Sequence, residues 1–309
     1  MKFIENLKKE LSKTSLSAVE IEEIIRDYEE MVEEAISNGL KESELESKFG
    51  NVEKIVSELD VFKDSKEINE GRISFLPLEN YDVSIELLNE EVQISSTDEE
   101  MISIVPKGVK NIKNYQITFN NNTLEIKREK ESFIEKMIRK SKGMFIIGLP
   151  KAKTINKFKI AITNGDGFVK ELKTEDFNLK SINGDFDLRS IKTNNFNIES
   201  VNGDMIICGI EALDSNLSTV SGDLEVEDLV VENRLNFNCV SGDCTIKKFS
   251  GKKMYLKTVS GDIDGAEINL DELTVHSVSG DVIINNQETD ASIKHVTKSC
   301  LAGDIKIIS

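Results

Sequence analysis

The stretch Leu217-Ser218-Thr219-Val220-Ser221-Gly222-Asp223-Leu224-Glu225-Val226 decides the fold, because its pattern recurs along the chain. The central X-Gly-Asp triplet appears eight times, with glycines at Gly165, Gly184, Gly203, Gly222, Gly242, Gly261, Gly280 and Gly303. Successive glycines lie 19, 19, 19, 20, 19, 19 and 23 residues apart. A fixed period of this size marks stacked supersecondary units that bury their apolar faces only against one another.

The registers within the period say which unit it is. Apolar residues fill the second position after the glycine (Phe186, Met205, Leu224, Cys244, Ile263, Val282, Ile305) and the fourth (Leu188, Ile207, Val226, Ile246, Ile284, Ile307). They also fill the seventh after it (Leu172, Ile191, Ile210, Leu229, Phe249, Ile268) and the fifth before it (Leu179, Ile198, Leu217, Phe237, Leu256, Val275). A further apolar column stands two before it, from Ile182 and Val201 through Val220, Val240, Val259 and Val278 to Leu301. Steps of two within short runs are strand periodicity, and no stretch of the repeat carries a helical stripe. The period therefore predicts a β-solenoid (β-helix) with 19–20-residue turns, whose rungs stack about 4.8 Å apart into a rod roughly 40 Å long.

The corner explains itself without a ligand. Glycine is expected to supply a left-handed backbone there, with Asp and the preceding Asn or Ser bonding the amides of the turn. Three residues before each glycine stand Ser181, Ser200, Thr219, Cys239, Thr258, Ser277 and Cys300. By alternation they face inward, where their hydroxyls reach turn backbone, and the two cysteines read as replacements of similar shape. Cys208 and Cys244 fall within strands, and no histidine shares a cysteine's register, so no cysteine is expected to act as catalyst or metal ligand.

Residues 73–163 read as an irregular start to the rod, with strand-like alternation at Asp82–Ile85, Val92–Ile94 and Thr123–Ile126. Phe145-Ile146-Ile147-Gly148-Leu149-Pro150 then leads into the regular turns of 164–309. The Leu149-Pro150-Lys151 lead-in followed by Asn/Ser-Gly-Asp turns resembles the bacterial adhesin-type family of β-strand repeat proteins (DUF4097-like) over about residues 75–309. That resemblance implies no catalytic residues.

Residues 1–62 read as an acidic helical domain joined by a linker at 63–72, so the chain is multidomain, α plus all-β. Phe3, Ile4, Leu7 and Leu11 form one amphipathic stripe, and Ser17-Ala18-Val19-Glu20 is a capping box. Ile21, Ile24, Ile25, Tyr28, Met31, Val32 and Ala35 line a second helix that Asn38-Gly39 ends. Shorter helices are expected over 42–48 and 52–59. The first 60 residues hold 16 acidic and 8 basic residues, which suits a solvated bundle or an acidic docking surface for a basic partner. Phe3, Leu7, Tyr28, Asn38-Gly39-Leu40 and Lys48-Phe49-Gly50-Asn51-Val52 resemble the HAAS signalling domain, with Val52 where that family carries proline. The resemblance implies signalling linked to a PadR-type regulator, in proteins that usually carry membrane segments.

Composition excludes several classes. The net charge is −17, which disfavours nucleic acid, because phosphate binding needs a concentrated basic surface. No apolar run approaches the roughly 18 residues of a membrane span, and the acidic N-terminus does not read as a secretory leader. With four scattered cysteines, these features predict a cytoplasmic protein, peripheral to the membrane at most. The turn aspartates, Asp223, Asp243, Asp262 and Asp281 among them, are weak calcium candidates. Each turn offers one acidic side chain, where calcium takes six to eight oxygens. Aspartate rows also suit glycosidase chemistry, but the chain has no tryptophan and 4 tyrosines, too few for a sugar cleft. His276 and His295 stand apart, His276 in an outward register. No catalytic residue, metal or cofactor is expected.

One segment is basic. Lys127, Arg128, Lys130, Lys136, Arg139, Lys140 and Lys142 outnumber Glu129, Glu131 and Glu135, and Phe133, Ile134, Met137 and Ile138 make a stripe at helical spacing. It reads as a helical insertion near 127–142, packed on the fold or lying on anionic lipid. Lys127, Arg128, Phe133, Lys136, Met137, Arg139 and Lys140 are its candidate lipid or partner contacts. The leading expectation is a non-catalytic scaffold or signalling accessory, its helices docking a protein partner and its rod a rigid platform, with the open solenoid edge either pairing in a homodimer or covered by the helical domain. The alternative is an adhesin-like or membrane-surface binding module.

Overall fold

The computed structural model describes residues 2–13, 18–53, 55–56, 71–109, 112–128, 143–287 and 289–308. Two compact units divide the chain: the α-helices fall in one and the strands in the other.

The helical unit contains α1 (Lys2–Leu11), α2 (Ala18–Ser37), a 3-10 turn at Glu42–Glu44 and α3 (Leu45–Phe49). Phe3, Ile4, Leu7 and Leu11 meet Ile25, Tyr28, Val32 and Ala35 in a buried core closed by Leu45, Phe49, Val52 and Ile55. The rings of Phe3, Tyr28 and Phe49 form a cluster with centroids 6.1–6.5 Å apart. Gly39 (φ +94) stops α2 as expected: its amide bonds the Ile36 carbonyl and the Leu40 amide bonds Ala35, the double closure of a Schellman motif. At the turn that carries the family resemblance, Gly50 is left-handed (φ +97) and the Asn51 carboxamide accepts the Glu53 amide at 2.8 Å. Asn51 thus caps a further helical turn, and Val52 takes the first helical position, where proline is equally at home. Ser17 and residues 57–59 lie outside the described residues.

The strand unit runs β1 (Ile73–Phe75), β2 (Asn80–Leu87), β3 (Glu91–Thr97), β4 (Ile102–Lys107), β5 (Tyr115–Asn120), β6 (Thr123–Arg128), β7 (Met144–Pro150), β8 (Thr154–Ile162) and β9 (Gly167–Ser181). It continues β10 (Phe186–Lys192), β11 (Asn195–Ser200), β12 (Met205–Thr219), β13 (Leu224–Cys239), β14 (Cys244–Thr258), β15 (Ile263–Ser277), β16 (Val282–Asn285), β17 (Ile293–Cys300) and β18 (Ile305–Ile308). From β9 onward every pairing is parallel and displaced by one period, for example Leu224 against Cys244 and Phe237 against Leu256. This is the predicted solenoid. The 20-residue period is absorbed by a bulge between Val231 and Arg234. The 23-residue period is absorbed between β16 and β17, where the buried Asn286 carboxamide bonds both the amide and the carbonyl of Ile268.

Four of the five apolar columns are buried as far as the last coil, where Ile305 and Ile307 are half-buried, and aromatic rungs stack within the core: successive rings of Phe158, Phe177 and Phe196 have centroids 5.1 Å apart. The fifth column, two before each glycine, stays exposed.

The start of the rod is more regular than its sequence. β2 pairs in parallel with β8, and β3 with β9. The residues between β2 and β3 therefore stack beneath the first Gly-Asp corner: the Asn164 carboxamide bonds Asn89, its amide bonds the Leu88 carbonyl, and the Val92 amide bonds the Asp166 carbonyl. Leu88-Asn89-Glu90-Glu91 is a ninth corner without glycine or aspartate. One layer further, β6 pairs with β2 and β7 with β3. Residues 129–142 connect those two strands, in place of the short corners above, and lie outside the described residues. Antiparallel strands follow: β5 on β6, β4 on β7 and β1 on β4.

Candidate functional site

The stacked corner gathers most of the chemistry-bearing residues. Its glycines are not left-handed; no positive φ occurs at any of them. A Cβ on Gly184, Gly203, Gly222, Gly242, Gly261, Gly280 or Gly303 would sit 1.9–2.3 Å from the carbonyl oxygen of the glycine one coil below. Close backbone approach, not conformational freedom, excludes a side chain here. The left-handed residues form another column six positions later: Glu171, Ser190, Gly209, Asp228, Lys248 and Glu267, with φ between 54° and 67°. Side chains of such varied type share no pattern, so the sequence conceals this bend.

Glu90 shows the same rule from the other side. Its carbonyl would meet a Cβ on Gly165 at 1.8 Å, so Glu90 stands where the coils above carry a corner glycine. The residue is 3% exposed. It is buried against Arg128, whose guanidinium forms an ion pair with it and bonds the Tyr115 hydroxyl at 3.0 Å. The pair closes the foot of the glycine column.

The hydroxyl column behaves as predicted: Ser181, Ser200, Thr219 and Thr258 donate to the carbonyls of Gly184, Gly203, Gly222 and Gly261 at 2.6–3.2 Å. Cys239 and Cys300 donate to Gly242 and Gly303 in the same way. Cys239 and Cys244 are free thiols buried side by side; the proximity of Cys244 lowers the pKa of Cys239, and that of Cys239, together with burial, raises the pKa of Cys244. The Asn/Ser row donates to the coil below, Asn183 to Asn164 and Asn202 to Asn183, and then Ser221 to the Val201 carbonyl. Each turn aspartate accepts the amide of the next one through Oδ1, at 2.8–3.1 Å from Asp166 to Asp304.

The calcium candidates Asp223, Asp243, Asp262 and Asp281 are four rungs of that ladder. One oxygen of each serves the backbone, and the column holds one carboxylate per coil. Among the described residues no group of three or more His, Cys, Asp or Glu side chains converges as a metal site.

Set beside known proteins, this architecture has a family. The Toastrack DUF4097 model matches residues 80–233 and 210–309, and the HAAS model matches residues 2–58. The chain belongs to the Toastrack DUF4097 family. No curated protein matches it. A solved Parabacteroides distasonis protein, provisionally described as lipid binding, is 17% identical, with a TM-score of 0.52 over 78% of this chain and 98% of its own. A second protein of that organism, provisionally described as an adhesin, is 10% identical, with a TM-score of 0.50 over 77% and 98%. At these identities the likeness is one of fold.

Elsewhere on the Toastrack rod the polar groups are also in use. A shallow groove of 370 Å³ is lined by Lys173, Thr174, Lys192, Thr193 and Leu213 among others. The Thr174 and Thr193 hydroxyls face it but bond backbone carbonyls, and Lys192 pairs with Glu211 at 2.5 Å. His276 is exposed, as its register suggests, with Nδ1 2.6 Å from Ser299 Oγ.

Two members of the basic set are described, and both lie in β6 rather than in a helix. Arg128 is buried with Glu90 and is removed from any lipid-facing set. Lys127 reaches Glu86 at 3.2 Å. Phe133, Lys136, Met137, Arg139 and Lys140 lie outside the described residues. Among the described residues no helix is long and apolar enough to cross a membrane.

Proposed function

We propose that this protein is a non-catalytic interaction scaffold, in which the helical unit docks a protein partner and the Toastrack rod serves as a stiff platform. One observation carries the proposal. The hydroxyls and carboxylates of the repeated corners are engaged in bonds between and within coils, which stiffens the rod and leaves those groups little freedom for chemistry. The helical unit supplies a complementary feature: Glu29, Glu30, Glu33 and Glu34 stand exposed along α2, opposite its buried stripe. Such a face favours a basic partner. The protein acts at the cytoplasmic side, and the outer edge of its last coil, β17 and β18, provides for self-association.

Pull-down from host lysate, membranes included, tests the docking. The full chain should retain a specific protein that a Glu29→Lys/Glu30→Lys/Glu33→Lys/Glu34→Lys variant loses. Equal capture by both would overturn the docking assignment. A second reading, contact with a membrane surface, is favoured by the net positive charge and apolar stripe of residues 129–142. Flotation with anionic vesicles that is abolished by Lys136→Glu/Arg139→Glu/Lys140→Glu would favour it.

A further inference from the structure

The exposed apolar column at the corner has no role in the proposal above. From Ile182 to Val278 its six members are 37–46% exposed, and Leu301 at the top is 83% exposed. They occupy equivalent positions in successive coils, so they form an unbroken ridge of seven side chains. Six steps of about 4.8 Å make it about 29 Å long. A contiguous exposed apolar stripe of this kind marks an interaction site, whereas isolated surface aliphatics do not. Along one flank, beyond the Asn/Ser row, stand the aspartates from Asp185 to Asp304.

The backbone limits what fits. Each ridge residue's amide donates to the coil below, as Val220 does to Ser200 and Val259 to Cys239, and the following amide donates to the ridge carbonyl beneath it, as Ser221 does to Val201. No main-chain edge is open, so an extended strand cannot be added here. A helix satisfies its own backbone. About 20 residues of helix span about 30 Å, the length of the ridge, with one contact per turn of about 5.4 Å. The carboxylate row selects cationic side chains on one flank and repels anionic lipid.

We propose that the ridge from Ile182 to Leu301 is a docking surface for a cationic amphipathic helix of a partner protein, its apolar stripe on the aliphatic column and its basic flank over the aspartates. The inference rests on the platform reading and gives the rod its own binding face.

The test uses the full chain and a synthetic helical peptide of about 20 residues, leucine on one face and lysine beside it, with a scrambled peptide of equal charge. Fluorescence anisotropy should show the patterned peptide binding at least about tenfold tighter than the scrambled one. Val220→Ser/Val240→Ser/Val259→Ser leaves the net charge unchanged and should lose that preference. The shape-conserving Val→Thr triple guards against misfolding and should weaken binding likewise. Asp223→Asn/Asp243→Asn/Asp262→Asn keeps an oxygen for each amide above and should reduce both affinity and its dependence on salt. Equal binding by the ridge variants, or no preference between peptides, would overturn the proposal, since charge alone would then explain the attraction. Preference for phosphatidylglycerol vesicles over the peptide would overturn it in favour of lipid. Neither failure touches docking through α2, which the glutamate reversal reads separately.

Discussion

Gly222 and Gly209 are both glycines of the rod, and one added methyl group should separate them. At Gly222 a Cβ would lie 2.0 Å from the Gly203 carbonyl oxygen, inside the backbone of the coil below. Gly222→Ala is expected to cost about 3 kcal/mol or more, because the coils must part to admit it. At Gly209 the nearest atom would be 3.7 Å away, and only the backbone angle objects. Gly209→Ala should cost about 1–2 kcal/mol. Urea unfolding of the two variants measures the difference, and equal losses would refute close stacking as the reason for the glycine column. The buried Glu90–Arg128 pair belongs to the same scale. Arg128→Met leaves a carboxylate buried beside Tyr115 and should cost about 3–5 kcal/mol, more than Arg128→Met/Glu90→Gln together. Calorimetry on the single and double variants checks that order.

Within a coil, the left-handed bend carries strain that its residues do not advertise. Lys248 holds φ 54° at a position where its side chain is exposed. Lys248→Gly is expected to raise stability by up to about 1 kcal/mol, the left-handed penalty outweighing glycine's greater chain entropy. A lower melting temperature would show that the bend is held by the Lys248 side chain itself, for instance through Glu227 at 3.7 Å. On β2, Lys159 and Lys127 hold Glu86 below the usual carboxylate range. Its contribution is therefore present above the unfolded pKa of about 4.3 and is lost as pH falls through the folded value. The side chain is 38% exposed, so solvent screens the pairs and Glu86→Gln should cost less than about 1 kcal/mol at pH 7. The cost should shrink on acidification or added salt; a penalty that persists in acid would point to packing instead. These elements also mark the limit of what the sequence discloses. The period, the buried columns and the hydroxyl column are legible because each coil repeats the same residue types under the same constraint. The ninth corner escapes notice because Glu90 and Glu91 stand where the other corners carry Gly-Asp, so the triplet that marks the period is missing there. The bend escapes because backbone angle, not side-chain chemistry, defines it. The ridge is legible as apolar but not as exposed, since periodicity gives spacing and the corner turns that column outward.

At the scale of the whole rod, its two ends differ in kind. The first coils are followed by the antiparallel strands β5, β4 and β1, which break the parallel stacking. At the other end β17 pairs with β15 and β18 with β16, each on one side among the described residues. The core loses its cover there: Val296 is 43% exposed where Leu273, one coil below, is 1% exposed. Such an edge templates further strands. Because antiparallel strands set the described start of the rod apart from this end, two copies should join by a two-fold axis that sets β17 against β17 antiparallel, and growth should stop there. Sedimentation velocity is expected to show a dimer and no larger series. Val296→Asp, which places a charge on the exposed core, and Lys298→Pro, which removes an amide from the outer edge of β17, should each shift it toward monomer. A concentration-dependent filament would mean that the antiparallel start also accepts strands, and a monomer at every concentration would mean that this edge does not pair.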